Sequence, residues 1–62
     1  MIISDHIMEE EKDSKMYMDM AEEFESEGHP GAAAILRDMA HEEMIHAKHL
    51  KEIEKILARN LA

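Results

Sequence analysis

The sequence of 62 residues lacks cysteine and tryptophan and contains one proline and two glycines. Without cysteine no disulfide can stabilise so short a chain, so we expect a metal site, self-association or both to do so. A chain without cysteine fits a reducing compartment, and we expect the cytoplasm. Apolar runs are only a few residues long, which predicts no membrane partner and no secretory signal.

Basic residues are scarce in the first half of the chain. Residues 1–29 contain ten acidic and two basic residues, whereas residues 30–62 contain five of each. An acidic surface disfavours nucleic-acid binding, because contacts to phosphate need a basic face. We therefore expect no nucleic-acid partner and a surface that attracts cations.

The residues that interrupt helices lie together in the middle of the chain. Ser4 is placed to cap a first helix, and nothing breaks that helix before Gly28. Gly28 suits the left-handed position after a helix, and Pro30 suits the first turn of the next one. The sequence predicts one all-α, antiparallel two-helix hairpin, with a helix over about residues 4–27, a turn at 28–29 and a helix over about 30–60.

Each predicted helix carries an apolar stripe with spacings of three and four residues. The stripes comprise Ile3, Ile7, Glu10, Ser14, Tyr17, Ala21 and Phe24 in the first helix, and Ala32, Leu36, Met39, Glu43, His46, Leu50, Ile53 and Leu57 in the second. Only Glu10, Glu43 and His46 in these stripes are charged or titrate near neutral pH. We expect them within about one helical turn of the same level, because they lie at similar distances from the turn.

Glu43 and His46 form a Glu-x-x-His motif, whose side chains point to the same side of a helix and can bind one metal ion. Two helices cannot enclose a core, so we expect a homodimer that forms a four-helix bundle about a two-fold axis perpendicular to the helices. The shared layer would hold four carboxylates and two imidazoles, whose charge two divalent ions would balance. The residues alone leave open a polar layer that only fixes the register of a helical dimer.

Two segments, Glu10-x6-Tyr17 and Glu43-Met-Ile-His-Ala-Lys48, resemble the ferritin-like di-iron carboxylate proteins, in particular rubrerythrins and encapsulated ferritins. The resemblance implies two iron ions per dimer, with manganese or zinc as alternatives. It implies Glu10, Glu43 and His46 as metal ligands and catalytic residues, and Tyr17 as a hydrogen-bonding neighbour of the ligands.

The activity implied by this resemblance is that of a ferroxidase, which oxidises Fe(II) with oxygen or peroxide in iron storage or detoxification. A rubrerythrin-like peroxide reductase and a non-catalytic oligomerising hairpin with a structural metal site remain alternatives. The resemblance also implies a larger ring-like oligomer and an encapsulating shell protein, which would form a protein compartment, as partners to test. Candidates for guiding ions or orienting the ligands are Glu9, Asp13, Glu42 and His49.

Overall fold

The computed structural model describes residues 2–61, which form two antiparallel helices, α1 (Ile3–Ser26) and α2 (Pro30–Leu61). The helices pack against each other, and the Cα atoms span 53 × 14 × 12 Å. The predicted all-α class is confirmed, whereas the dimeric bundle stays a prediction. Within the described range, neither helix has a stretch long and apolar enough to cross a membrane.

The start of α1 differs from the prediction. The helix begins at Ile3, and the preceding Ile2 is extended, with φ −103° and ψ 123°, and makes no side-chain capping bond. The predicted capping role of Ser4 is therefore wrong, because Ser4 already lies inside the first turn. The backbone closes that turn itself, since the N–H of Asp5 donates to the carbonyl of Ile2 at 3.1 Å.

The turn between the helices depends on a glycine. Gly28 has φ +86°, a left-handed conformation that a side chain would strain. Its N–H donates to the carbonyl of Glu25 at 3.1 Å, and the N–H of His29 donates to the carbonyl of Phe24 at 2.8 Å. These two bonds satisfy carbonyls at the end of α1, and α2 then begins at Pro30, as the sequence predicts.

Small side chains form most of the seam between the helices. The buried residues repeat every seven positions and are Ile7, Ser14 and Ala21 in α1 and Ala33, Ala40 and Ala47 in α2. A spacing of seven residues is about two helical turns, so each set forms a line along its helix, and small side chains allow the helices to approach closely.

The stripe predicted for α2 lies beside this seam and not in it. Leu36, Glu43 and Leu50 are half-buried, whereas Met39 and His46 are exposed. The stripe therefore borders an open side of the hairpin. We call this side the open face; its residues are Glu10, Tyr17, Met20 and Phe24 of α1 and Ile35, Met39, Glu43, His46, Leu50, Ile53 and Leu57 of α2.

Candidate metal centre

Three residues that the sequence predicts as metal ligands come together on the open face. Glu10, Glu43 and His46 each offer one ligand atom, and these atoms lie within 4.8 Å of one another. Nδ1 of His46 is 3.6 Å from Oε2 of Glu10 and 3.8 Å from Oε1 of Glu43. Two ligand atoms that each lie about 2.1 Å from a tetrahedral ion are about 3.4 Å apart, so the spacing fits a shared cation.

A hydrogen bond between the helices holds this cluster in register. Oγ of Ser14 donates to the backbone carbonyl of Ala40 at 2.8 Å, and the bond is buried. Ser14 lies about one turn after Glu10, and Ala40 lies just under one turn before Glu43. The bond therefore joins the two helices directly beside the cluster. Sequence reasoning placed Ser14 in the α1 stripe but did not predict its bond to Ala40, although the seven-residue spacing of small side chains was a signal for the seam.

The cluster has an excess of negative charge. Oε2 of Glu10 is buried and, among residues 2–61, has no hydrogen-bond partner. Leaving a buried acceptor unpartnered costs about 1–3 kcal/mol, and more for a charged group. The pKa of Glu43 is raised, first because its protonated carboxyl can donate a hydrogen bond to Glu10, then by burial and by the charge of Glu10, while the charge of His46 opposes the rise. The cluster would therefore be stabilised by a proton or a cation.

The donor set also fits a divalent transition metal. Carboxylate oxygens and an imidazole nitrogen suit iron, manganese and zinc, whereas copper(I) prefers sulfur. The side chains of Glu10 and Glu43 are 26% and 23% exposed, but that of His46 is 57% exposed. One side of the cluster is consequently accessible to further ligands, which an ion held by only three residues needs to complete its coordination.

The other residues predicted around the site lie outside this cluster. Asp13 is half-buried, and its charge contributes to the raised pKa of Glu43. Glu9, Glu42 and His49 are exposed. The half-buried Tyr17 follows Glu10 on α1 by seven residues, or about 10 Å along the axis. The roles predicted for these residues and the metal binding of the three ligands stay predictions.

Comparison with known proteins bears on the whole hairpin. The Rubrerythrin family model matches residues 2–62, a range that includes both helices and all three residues of the cluster. No curated protein and no solved structure matches the chain significantly. Because the family match covers almost every residue of a hairpin that carries a carboxylate–histidine cluster, we conclude that this chain belongs to the rubrerythrin family.

Proposed function

We propose that two copies of this hairpin bind two iron ions between them and act as a ferroxidase in iron storage or detoxification. The observation that carries the proposal is the buried Oε2 of Glu10, which has no hydrogen-bond partner in the described part of the chain and lies beside a second carboxylate and an imidazole. Such a group is costly unless a cation binds to it. Membership of the rubrerythrin family supports iron over manganese or zinc.

A shared site accounts for the accessible side of the cluster. One hairpin offers three ligand atoms, and a second copy that covers the open face would offer the same three. The combined set has one glutamate from each of two helices and a Glu-x-x-His from each of the other two. This is the ligand set of dinuclear carboxylate proteins with four-helix bundles. Four carboxylates also balance the charge of two divalent ions.

The side chains of the cluster have distinct tasks in this proposal. Bound iron would supply the redox chemistry, namely one electron from each of two Fe(II) ions for the reduction of oxygen to hydrogen peroxide, or of hydrogen peroxide to water, with two protons taken up from solvent. Glu10 and Glu43 place negative charge where positive charge increases on oxidation, which favours the oxidised state. His46 would bind the ion through the lone pair of Nδ1, which requires the neutral form of the imidazole. Glu43, whose pKa is raised, releases any proton that it holds in the metal-free protein when a cation binds.

Titration with Fe(II) under anaerobic conditions tests the proposal. We expect about two irons per dimer, and ferric absorbance after air is admitted. Even residues that only hydrogen-bond to a ligand contribute about 10–100-fold to metal affinity, so His46→Ala should weaken Fe(II) binding by at least about tenfold. The matched control is His41→Ala, because His41 is also an exposed histidine of α2 but lies outside the cluster.

Each alternative gives a different result in the same experiment. Equal Fe(II) affinity in the His46→Ala and His41→Ala variants would contradict the metal site and favour a polar layer that only sets register. Binding without oxidation would indicate a structural metal site. Oxidation of bound Fe(II) that is much faster with peroxide than with oxygen would favour a peroxide reductase.

A further inference from the structure

The three candidate ligands belong to two different helices. Glu43 and His46 lie three residues apart on α2, so the backbone of that helix fixes their spacing, whereas Glu10 lies on α1. The level of α1 along α2 therefore decides how far Glu10 lies from the other two. An axial shift of one residue is about 1.5 Å, and the groups of a binding site need to lie within about 0.5 Å of their productive positions. A shift of one residue would consequently take Glu10 away from a shared ion.

The seam between the helices restrains this level only weakly by its shape. Alanine occupies four of the six buried positions of the seam. A methyl group is too short to fill a deep hole on the facing helix, so such a seam resists an axial shift less than large side chains do. The turn at Gly28 restrains one end of the hairpin, but it lies about 21 Å along α1 from Ser14. The cluster therefore depends on a restraint at its own level.

Ser14 provides a short restraint at that level. Its Oγ donates to the backbone carbonyl of Ala40 at 2.8 Å, and the residue is only 7% exposed. One rotatable bond, χ1, separates this oxygen from the backbone of α1, and the acceptor is part of the backbone of α2. The hydrogen bond therefore ties one backbone to the other with little freedom, about one turn from Glu10.

The two ion pairs between the helices are longer and looser. Nζ of Lys51 lies 3.1 Å from Oε2 of Glu11, and the guanidinium of Arg37 lies 2.6 Å from Oε2 of Glu25. Each pair joins two long side chains with several rotatable bonds, and all four are 37–55% exposed. Such side chains can change rotamer and keep their contact when the helices shift. They cannot fix the level of Glu10 as Ser14 does.

Packing of the seam does not require a hydroxyl at this position. Ala21 occupies the equivalent place two turns later on α1 and is completely buried. A buried hydrogen bond replaces bonds to water, so it contributes little net stability, but it is strict about distance and angle. The hydroxyl of Ser14 therefore contributes more to the position of the helices than to the stability of the seam.

We infer that Ser14 is a positioning residue that determines which ions the centre prefers. The inference rests on the proposed function, because it concerns the same three ligands. Transition-metal ions such as zinc bind nitrogen and oxygen ligands at about 2.0–2.2 Å, whereas Ca(II) accepts oxygen ligands at about 2.3–2.6 Å in a variable geometry. With the helices at a fixed level, the cluster favours a transition-metal ion. Without the bond, Glu10 can move away from His46, and the preference over Ca(II) decreases.

Separate calorimetric titrations with Fe(II), without oxygen, and with Ca(II) test the inference. Residues that orient a ligand contribute about 10–100-fold to metal affinity, so Ser14→Ala should weaken Fe(II) binding by at least about tenfold. Binding of Ca(II) should change by less than about twofold, because Ca(II) tolerates displaced oxygen ligands. The ratio of the two affinities should therefore fall by about fivefold or more.

The matched control is Ser26→Ala. Oγ of Ser26 donates to the carbonyl of Glu23 in its own helix at 2.7 Å, so this variant loses a similar bond without changing the contact between the helices. Both affinities of the control should equal those of the wild type. We expect Ser14→Ala to fold, because alanine already occupies most of the seam, and circular dichroism verifies this. Ser14→Cys, kept reduced, repeats the test if it does not, since a thiol is only a weak donor.

Equal losses of Fe(II) and Ca(II) affinity in Ser14→Ala would overturn the inference, because a purely structural role weakens both alike. Unchanged Fe(II) affinity in the folded variant would also overturn it. Failure of the proposed function is distinct: wild-type protein that binds Fe(II) without oxidising it contradicts the ferroxidase, whereas the ratio of affinities still tests Ser14. Wild-type protein that binds Ca(II) but no Fe(II) would contradict both.

Discussion

Two neighbouring glutamates of α1 lie on different sides of the hairpin and meet opposite partners. Oε2 of Glu11 is 3.1 Å from Nζ of Lys51 on α2, and on the same side Oε2 of Glu25 is 2.6 Å from the guanidinium of Arg37. We call this side the paired face. On the open face, Glu10 lies beside a second carboxylate and the imidazole of His46. Among residues 2–61, the acids of the paired face thus have a lysine or arginine partner on the other helix, whereas the two carboxylates of the cluster have none.

This difference shows where the chain depends on something outside itself. The ion pairs of the paired face are about half exposed, and pairs in contact with solvent contribute about 0–1 kcal/mol each. The cluster on the open face instead contains a buried carboxylate oxygen that, among residues 2–61, has no hydrogen-bond partner. A buried acceptor without a partner departs from the rule that buried polar groups are hydrogen-bonded, and such departures are expected at functional sites.

The largest effect should come from removing the charge of each neighbouring glutamate in turn. Glu10→Gln should weaken Fe(II) binding by at least about tenfold, because it removes a ligand charge. The same change should raise the free energy of unfolding of the metal-free protein, because it relieves the repulsion from Glu43. Glu11→Gln should leave Fe(II) binding unchanged and lower the free energy of unfolding by about 0.5 kcal/mol.

Anaerobic Fe(II) titration and urea denaturation in a chelator measure the two quantities on the same preparations. The proposed difference between the two faces is contradicted if Glu11→Gln weakens Fe(II) binding as much as Glu10→Gln does. It also fails if Glu10→Gln makes the metal-free protein less stable, since the cluster would then stabilise the fold by itself.

A smaller effect concerns the pH dependence of the metal-free protein. The pKa of Glu43 is raised in the folded state, so the native protein holds a proton that the unfolded chain has already lost. The stability that this proton provides is fully present below the usual glutamate pKa of about 4.3 and is lost as the pH rises through the raised value. In Glu43→Gln, the free energy of unfolding should therefore fall less between about pH 4.5 and about pH 7.

Urea denaturation of the chelated protein at several pH values measures this dependence. Glu42→Gln is the matched control, because Glu42 is an exposed neighbour on the same helix. An identical pH dependence in the wild type and Glu43→Gln would show that Glu43 titrates normally and that the two carboxyls of the cluster do not interact.

The sequence predicted the hairpin, the three clustered residues and the α1 side of the seam, because the predicted α1 stripe contains the buried residues Ile7, Ser14 and Ala21, but it did not predict the α2 side. Gly28 and Pro30 restrict the backbone locally, so their roles could be inferred without a structure. The stripe predicted for α2 instead borders the open face, because the pattern was traced mainly through large apolar residues and passed over the alanines. The α2 side of the seam depends on Ala33, Ala40 and Ala47, whose closeness to α1 is a property of the folded pair.

The start of α1 shows a similar limit. Ser4 has the side chain of a capping residue, but the backbone turns helical before it, where Ile3 is half-buried against the rest of the hairpin. Burial of an apolar side chain, at about 25 cal/mol per Å², can outweigh a capping bond of about 1 kcal/mol. The capping signal of Ser4 therefore predicted the start of α1 one residue late, because the packing of the two helices determines where α1 begins.

The smallest effect should be the coupling between Glu11 and Lys51 on the paired face. A double-mutant cycle with Glu11→Gln and Lys51→Met should give a coupling free energy of about 0.2–1 kcal/mol. At about 1 M salt the Debye length falls to about 3 Å, so the coupling should nearly disappear. A coupling well above 1 kcal/mol that persists in salt would mean that the paired face holds the helices together. The contrast with the open face would then be one between two structural layers, and the lack of a lysine or arginine partner for Glu10 among residues 2–61 would no longer point to a metal site.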